Sequence, residues 1–312
     1  MRQRENIDIE LPTPTQALDL MVGMVETLAD RQGPTRDRLR GIGIGVPGLM
    51  HPAEHGSGYV VTPTAFQGWH DVPLASWLHE RLGLPVFLEN NATAAAVGER
   101  WYGAGRQIDT FFYVFLGSGL GGGLVINGRP YEGATGNAGE IGYLPAVMGP
   151  PTARSEEHVG AHFYLPRLYE QLRADGVDAR RPADLEPLLL AGHPRLLSWI
   201  DTAAAHLTGL VLAVEYVVDP EAVVLGGRLP DCVLEAFRAR VAAQLPARRM
   251  GGKVTAPRLL LATAGADAAA LGVATLPIHE FFAPATRVLL KPSTRRPATS
   301  DTGVAPRLRA AG

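Results

Sequence analysis

Two adjacent amide side chains, Asn90 and Asn91, follow an apolar segment that has the composition of a buried strand. The residues from 92 onward have the pattern of a helix, which places both amides at a strand-to-helix junction. Such a junction lies at the carboxyl end of a strand, where α/β folds bind their ligands. An amide can orient a hydroxyl group but cannot accept its proton. The alternative interpretation is that Asn91 only caps the helix that follows.

A glycine-rich segment from Gly133 to Tyr143 carries one carboxylate, Glu140. A carboxylate can accept hydrogen bonds from two neighbouring hydroxyl groups, and glycines let the backbone approach a ligand closely. The segment is therefore a candidate for the recognition of a polyol. The alternative is a surface loop in which Glu140 is solvated.

A glycine cluster at Gly117–Gly123 directly follows the apolar segment Phe111–Leu116. Successive backbone N–H groups in such a cluster can cradle a phosphate. The spacing is not that of a dinucleotide-binding turn, and a P-loop is excluded because no Gly-Lys-Ser/Thr follows. The alternative is a glycine-rich hairpin without a ligand.

The composition is that of an ordinary globular protein, with 46% apolar residues, 19% charged residues and a formal net charge of −2. A charge near zero argues against nucleic acid or an anionic membrane as the main partner of the folded part. Cys232 is the single cysteine, so no intramolecular disulfide can form and a cysteine-based zinc site is not expected. The sequence shows no signal peptide and no apolar run typical of a membrane span, so a cytoplasmic protein is expected.

Strand and helix patterns alternate over two successive halves of the chain, which predicts an α/β protein with two sheet-based lobes and a cleft between them. The residues after about 286 lack periodicity and predict a disordered tail. Strands are predicted at 7–11, 42–46, 83–88, 111–116, 124–129, 222–225 and 259–262, and helices at 14–28, 74–81, 92–101, 163–174, 183–190, 195–217 and 266–276.

The order of these features resembles the ROK family, named for repressors, open reading frames and kinases. The resemblance extends from about residue 7 to about residue 285 and is carried by seven short motifs, at Gly45–Gly48, Gly68-Trp69, Asn90–Glu99, Gly117–Gly123, Gly136–Tyr143, Asp219–Glu221 and Gly226-Gly227. It implies the actin-like, ribonuclease H-like ATPase fold. The expected domains are an N-terminal lobe at 1–105, a C-terminal lobe at 106–285 whose last helix packs back on the first lobe, and the tail at 286–312.

The resemblance also implies roles for the candidate residues. A sugar is expected to contact the amides, the carboxylate and their loop, at Asn90, Asn91, Asn137, Glu140 and Tyr143. A nucleotide, if one binds, is expected to face the two glycine motifs, at Gly117, Ser118, Gly119, Gly121, Gly226 and Gly227.

Four departures from the family pattern change the expected chemistry. The family's catalytic aspartate, which takes the proton from the attacking sugar hydroxyl, is replaced by Asn91. The zinc-binding histidine is replaced by Tyr143, and Gly149–Ser155 stands in place of the cysteine-rich zinc loop. The first phosphate loop, an Asp-x-Gly-x-Thr turn, is not found, and the chain is expected to start near the family's third strand.

The loss of both parts of the zinc motif implies that no metal is bound and that a different brace must hold this loop. The family's second sugar-binding glutamate lies in the replaced segment, where Glu156 or Glu157 is a candidate substitute. ATP with Mg²⁺ is expected as a cofactor only if kinase activity is retained.

Two functions are compatible with these residues. The first is a catalytically impaired sugar kinase homologue that serves as the sugar-sensing effector domain of a transcriptional regulator, and it is favoured by Asn91 and the missing phosphate loop. The alternative is an ATP-dependent hexose or N-acetylhexosamine kinase, favoured by the retained glycine motifs. A small-molecule sugar is the expected partner, a homo-oligomer is expected from the family, and no DNA-binding segment is predicted in this sequence.

Overall fold

A computed structural model describes residues 12–31, 39–52, 59–62, 68–146, 158–251 and 255–282. The chain divides into two compact units, one formed by Met1–Glu89 with Val273–Gly312 and the other by Asn90–Gly272. Several predicted features lie outside the described residues: the strand at 7–11, the replaced loop at 149–155, Glu156, Glu157 and the tail from 286.

The first unit combines short strands with helices on an apolar core. Its elements are α1 (Pro14–Arg31), β1 (Ile42–Val46), β2 (Leu49–Pro52), β3 (Tyr59–Thr62), α2 (Leu74–Leu82) and β4 (Val86–Asn90), whose last residue already belongs to the second unit. Strand β1 pairs with β4, and β2 pairs with β3 as an antiparallel hairpin that the sequence did not predict. Leu18, Trp69 and Leu78 are among the side chains that form the core.

Helix α1 begins with a capping box. The backbone N–H of Gln16 donates to Thr13 Oγ1 at 3.3 Å, and the backbone N–H of Thr13 donates to Gln16 Oε1 at 3.0 Å. Two N–H groups that have no partner within the helix are thereby satisfied, which is why the helix begins at Pro14.

The second unit is built on a sheet whose described strands have the order β7-β6-β5-β8-β9. The strands are β5 (Phe111–Leu116), β6 (Leu120–Ile126), β7 (Arg129–Pro130), β8 (Ala222–Gly227) and β9 (Arg258–Leu261), and the helices are α3 (Asn91–Tyr102), α4 (Leu165–Ala174), α5 (Leu185–Leu190), α6 (Pro194–Val218), α7 (Asp231–Arg248) and α8 (Ala268–Phe282), which continues into the first unit.

Strand β5 is buried on both faces because its alternate side chains enter two different cores. Phe112 and Val114 pack with the side chains of α4, α6 and α7, whereas Phe111 and Tyr113 pack with α3 and the start of α8. Strands β5, β8 and β9 run parallel, and β6 runs antiparallel to β5. A parallel strand covered on both faces is expected to be a continuous apolar run, which explains why this strand was predictable to the residue.

The long helix α6 is apolar enough by length and composition to cross a membrane, with a mean hydropathy of 1.4. The residue pattern predicted this helix but no membrane span. Leu196, Ile200 and Leu207 are fully buried in the core of the second unit. Packing inside this unit therefore accounts for the apolar face of α6.

In the division into two units, α3 belongs to the second unit, because it packs against β5 and β6. The lobe boundary near residue 105 stays a prediction. Helix α7 was not predicted, although it has a buried apolar residue at every fourth position, namely Val233, Phe237, Val241 and Leu245.

Candidate functional site

The side chain of Asn90 caps helix α3. Its Oδ1 accepts the backbone N–H of Ala92 at 2.7 Å and that of Thr93 at 3.4 Å, and its backbone is extended with φ −60° and ψ 138°. These are the contacts of an N-cap. The cap is therefore Asn90, and the alternative that Asn91 caps this helix is wrong.

The same amide also holds Glu140. Asn90 Nδ2 donates to Glu140 Oε1 at 2.6 Å, although the two residues are 50 positions apart in the chain. Asn90 is only 5% exposed, so this bond forms at the edge of the core. The structure thus brings together the two candidate groups that the sequence analysis took from separate motifs.

Three glycines make this approach possible. A Cβ atom on Gly122 would lie 2.6 Å from the carbonyl oxygen of Gly139, and one on Gly123 would lie 2.6 Å from that of Ala92. Gly139 also has φ +95°, which side chains rarely adopt. Without side chains at these positions, the start of α3 and the loop before Glu140 can both pack directly on β6.

The environment of Glu140 favours its protonated form. Burial raises the pKa of the carboxyl group from 4.5 to about 7, and the hydrogen bond from Asn90 lowers it in part. As a carboxylate, the group accepts bonds from hydroxyl groups, and as an acid it can also donate one. Near neutral pH, both forms are therefore available to a ligand.

Asn91 is the first residue of α3 and is half-buried. Among the described residues none hydrogen-bonds its side chain, which distinguishes Asn91 from its neighbour. Its amide is available to donate to and accept from a ligand, but it has no group that can take up a proton at neutral pH.

The other two predicted sugar contacts have local partners. Asn137 Nδ2 donates to the carbonyl oxygen of Thr135 at 3.3 Å and to its Oγ1 at 3.1 Å. The Tyr143 ring is 36% exposed and meets the His158 ring edge-on, with centroids 6.1 Å apart.

By the family resemblance, Tyr143 stands in place of a zinc-binding histidine. In the described parts of the chain, no group of three or more His, Cys, Asp or Glu side chains could hold a metal ion. The residues described here therefore do not fit the family's zinc ion.

The two glycine motifs meet at one edge of the sheet. Gly226 is in register with Phe115 and Gly227 with Leu116, and the backbone N–H of Arg228 donates to the Leu116 carbonyl at 2.8 Å. In sheets of this kind, ligands usually bind at the edge where the carboxyl ends of parallel strands lie. The hairpin turn after β5 closes with a bond from Gly117 N–H to the Gly119 carbonyl at 2.9 Å.

Several of these glycines also have a role in packing. A side chain on Gly226 would collide with the Tyr113 hydroxyl, one on Gly227 would collide with the Leu116 carbonyl, and one on Gly121 would lie 3.1 Å from Ala92 Cβ. The backbone carbonyl oxygen of Ser118 accepts a hydrogen bond from the backbone N–H of Leu165 at 3.0 Å. Of the predicted nucleotide contacts, Gly119 has open space around it. The glycine cluster is therefore partly explained by the fold alone.

A cavity of about 460 Å³ opens beside Gly227. Its lining residues include Glu186, Arg228, Asp231 and Cys232. The volume is within the range of small-molecule sites. Asp231 and Cys232 belong to the first turn of α7, which was not predicted from the sequence. Glu186 lies on the predicted helix α5 and Arg228 follows β8, but neither residue belongs to a motif that indicated a ligand.

Glu221 lies at the opposite end of β8 from the two glycines. Its Oε1 accepts the backbone N–H groups of Asp109 and Thr110, each at 2.9 Å. These bonds join the starts of β8 and β5. Within the Asp219–Glu221 motif, this carboxylate therefore aligns two strands and is not placed at the ligand-binding edge.

The two adjacent amides are expected to differ when each is removed. Asn90→Ala deletes the cap of α3 and the partner of Glu140, and it should lower the free energy of unfolding by about 1–2 kcal/mol. Asn91→Ala deletes no side-chain hydrogen bond to the described residues and should change this free energy by less than about 0.5 kcal/mol. Urea titrations of both variants measure the difference. Equal losses would contradict the assigned cap.

Comparison with known proteins gives three further findings. The family model described as the ROK family matches residues 1–161. The xylose repressor of Caldicellulosiruptor bescii is 36% identical over 126 residues, which is 40% of this chain and 31% of the repressor. The glucokinase of Halalkalibacterium halodurans is 29% identical over 260 residues, 76% of each chain.

Among solved structures, a ROK family glucokinase from Streptomyces griseus in complex with glucose and AMPPNP has a TM-score of 0.67 and 25% identity, covering 86% of this chain and 89% of that one. This likeness confirms the predicted α/β fold of the actin-like ATPase class. The matched segment spans about a third of the repressor's length.

Proposed function

The chain belongs to the ROK family, and on this basis we propose that it binds a sugar at Asn90, Asn91 and Glu140 without phosphorylating it efficiently. The observation that carries the proposal is the bond between Asn90 and Glu140 directly beside Asn91. This bond brings together two groups that we assign to sugar binding. The adjacent Asn91 is the residue that, by the family resemblance, stands in place of the base of a kinase.

The geometry supports recognition of a polyol. Asn90 uses its Oδ1 for the helix and one N–H for Glu140, so both side chains are held in place before a ligand arrives. The remaining acceptor positions of Glu140 suit two adjacent hydroxyl groups. Because the site is preorganised, less conformational freedom is lost on binding.

Asn91 supports binding more than it supports catalysis. Its half-buried amide can orient a hydroxyl group, but it cannot remove the proton when that hydroxyl attacks a phosphoryl group. General-base catalysis contributes about two to four orders of magnitude in rate. We therefore propose a degenerate kinase, or pseudokinase, that uses the sugar as a signal.

The likeness to xylose repressors suggests what that signal controls. We propose that the chain is the sugar-sensing effector domain of a transcriptional regulator in the cytoplasm, acting as a homo-oligomer. The proposal takes its support from the repressor relative and from Asn91 together.

A second candidate function is an ATP-dependent hexose kinase. It is supported by the glucokinase relative and by the cavity beside Gly227, where a nucleoside of ATP fits by volume. The turn at Gly117–Gly119 and Gly226-Gly227 would face the nucleotide, which would supply the transferred phosphoryl group.

The test is a thermal-shift titration with D-xylose, D-glucose, D-mannose and N-acetylglucosamine, followed by a phosphorylation assay with ATP and Mg²⁺. We expect at least one sugar to raise the melting temperature and no phosphorylated product to form at kinase rates. Turnover of about 1–100 per second would overturn the pseudokinase and favour the second candidate.

Asn91→Asp sharpens the same test. If the ATP site is intact and only the base is missing, this variant should gain turnover by about two orders of magnitude or more over the wild type. A variant that binds sugar as before and gains no turnover supports a dedicated sensor. Absence of stabilisation by every sugar in the panel would contradict both candidate functions.

A further inference from the structure

The backbone turn after Glu140 determines where its carboxyl group lies. Residues Ile141–Tyr143 form one 3₁₀ turn, in which the backbone N–H of Tyr143 donates to the Glu140 carbonyl at 3.3 Å. The backbone N–H of Leu144 donates to the Ile141 carbonyl at 3.2 Å. The position of Glu140 therefore depends on the backbone of this turn.

Residues that follow the replaced loop in the chain hold this turn in place. The backbone N–H of Val159 donates to the Leu144 carbonyl at 2.9 Å, and Pro145 pairs with His158 as an isolated antiparallel bridge. These contacts join the segment that ends at residue 146 to the segment that begins at residue 158.

A side chain completes the closure. His158 Nδ1 lies 2.8 Å from the Tyr143 carbonyl oxygen, and because a carbonyl can only accept, Nδ1 must carry the proton. The His158 ring also meets the Tyr143 ring edge-on. Both contacts act on Tyr143, the last residue of the turn that begins after Glu140.

Close packing beneath the turn leaves it little freedom. A Cβ atom on Gly160 would lie 2.9 Å from the Gly142 carbonyl oxygen, so the segment after His158 rests directly on the turn. A Cβ atom on Gly142 would in turn collide with the Leu120 carbonyl of β6. The turn is thus held between β6 and the segment that begins at His158.

We infer that His158 is a positioning residue that braces the Tyr143 turn without a metal and thereby holds Glu140 in place for the sugar. The inference depends on the proposed function for its ligand, but the brace itself depends only on the contacts of the second unit. The neutral Nδ1–H tautomer and the imidazolium form can both donate this bond, so the brace persists across the charge states of His158.

The test compares three variants of the full chain. His158→Ala removes the donor and the ring, His158→Asn keeps an N–H near the position of Nδ1, and His79→Ala is the matched control. His79 Nδ1 also lies 2.9 Å from a backbone carbonyl, that of Leu84, but it belongs to the first unit. The control therefore loses the same type of bond without touching the Glu140 turn.

Two measurements are made on each variant. One is the dissociation constant for D-xylose and D-glucose, and the other is the pH midpoint at which Glu140 titrates, followed by ¹³C NMR of the labelled carboxyl group. We expect His158→Ala to weaken sugar binding by about three- to tenfold, the factor that corresponds to one net hydrogen bond. We also expect its Glu140 midpoint to fall from about 7 towards 4.5, because the loosened turn admits water.

The outcomes separate the brace from the proposed function. Recovery of both values in His158→Asn, with no change in His79→Ala, would support the inference. An unchanged midpoint in His158→Ala would overturn it, and so would a loss of sugar affinity on addition of EDTA, which would indicate a metal brace. If the wild type binds neither sugar, the proposed function loses its support, while the Glu140 midpoint still decides whether His158 braces the turn.

Discussion

Glu140→Gln is expected to stabilise the protein at pH 8 by about 3 kcal/mol and to have little effect near pH 4. The difference between the ordinary pKa of 4.5 and the raised value of about 7 corresponds to this free energy. The folded state binds the Glu140 proton more tightly than the unfolded chain does. The wild type therefore loses stability as the pH rises from about 4.5 through 7, whereas an uncharged glutamine does not.

The same substitution should weaken sugar binding by about 10- to 100-fold, since a charged acceptor is lost where hydroxyl groups are expected. Urea unfolding at pH 4, 6 and 8 measures the stability, and titration with D-xylose and D-glucose measures the affinity. Glu170→Gln, which changes an exposed carboxylate on α4, is the control. A gain in stability that is equal at every pH would contradict the role assigned to burial.

A gain in stability together with a loss of affinity would be informative about the site. Buried ionisable groups usually remain in a protein because they bind or react, and they do so at some cost in stability. This combination would identify Glu140 as a functional group and not as part of the packing.

Gly139→Ala is the second substitution with a large expected effect. The new Cβ would lie 2.5 Å from the Gly122 carbonyl oxygen, and the backbone at φ +95° is strained for any side chain. We expect a loss of about 3 kcal/mol or more in the free energy of unfolding, together with loss of the contact between Asn90 and Glu140. Thermal and urea unfolding measure the first effect, and the sugar titration measures the second.

Gly209→Ala is the matched control for a glycine-to-alanine change. Gly209 lies inside α6, and a Cβ atom there would have no neighbour within 4 Å. Alanine at this position should stabilise the protein by about 0.5–1 kcal/mol, because it favours the helix. If both variants behaved alike, the close approach of the Glu140 loop to β6 could not be important for the fold.

Asn90, Gly139 and His158 all act on the position of Glu140. Asn90 holds Glu140 from the helix side, Gly139 permits the approach to β6, and His158 closes the turn that follows. Substitutions that touch a common partner are expected to be non-additive. A double-mutant cycle of Asn90→Ala with His158→Ala should therefore show coupling in the sugar affinity.

The sequence by itself determined the elements whose residues form regular apolar patterns. Strand β5 and helices α4, α5 and α6 lie within two residues of their predicted bounds, because their core-facing side chains repeat with the period of the element. The capping box at Thr13 and Gln16 was equally predictable, since it depends on residues only three positions apart. The motif order was also sufficient to indicate the ROK family.

Only the tertiary structure decided which of the two amides caps α3 and which is left for a ligand. Both have the same chemistry, and the difference arises because the backbone is extended at Asn90 and helical at Asn91. The raised pKa of Glu140 could not be predicted from the sequence either, because it depends on how deeply a loop 50 residues further along is buried beside Asn90. Local patterns specify elements, whereas burial and partners depend on residues that are distant in the chain.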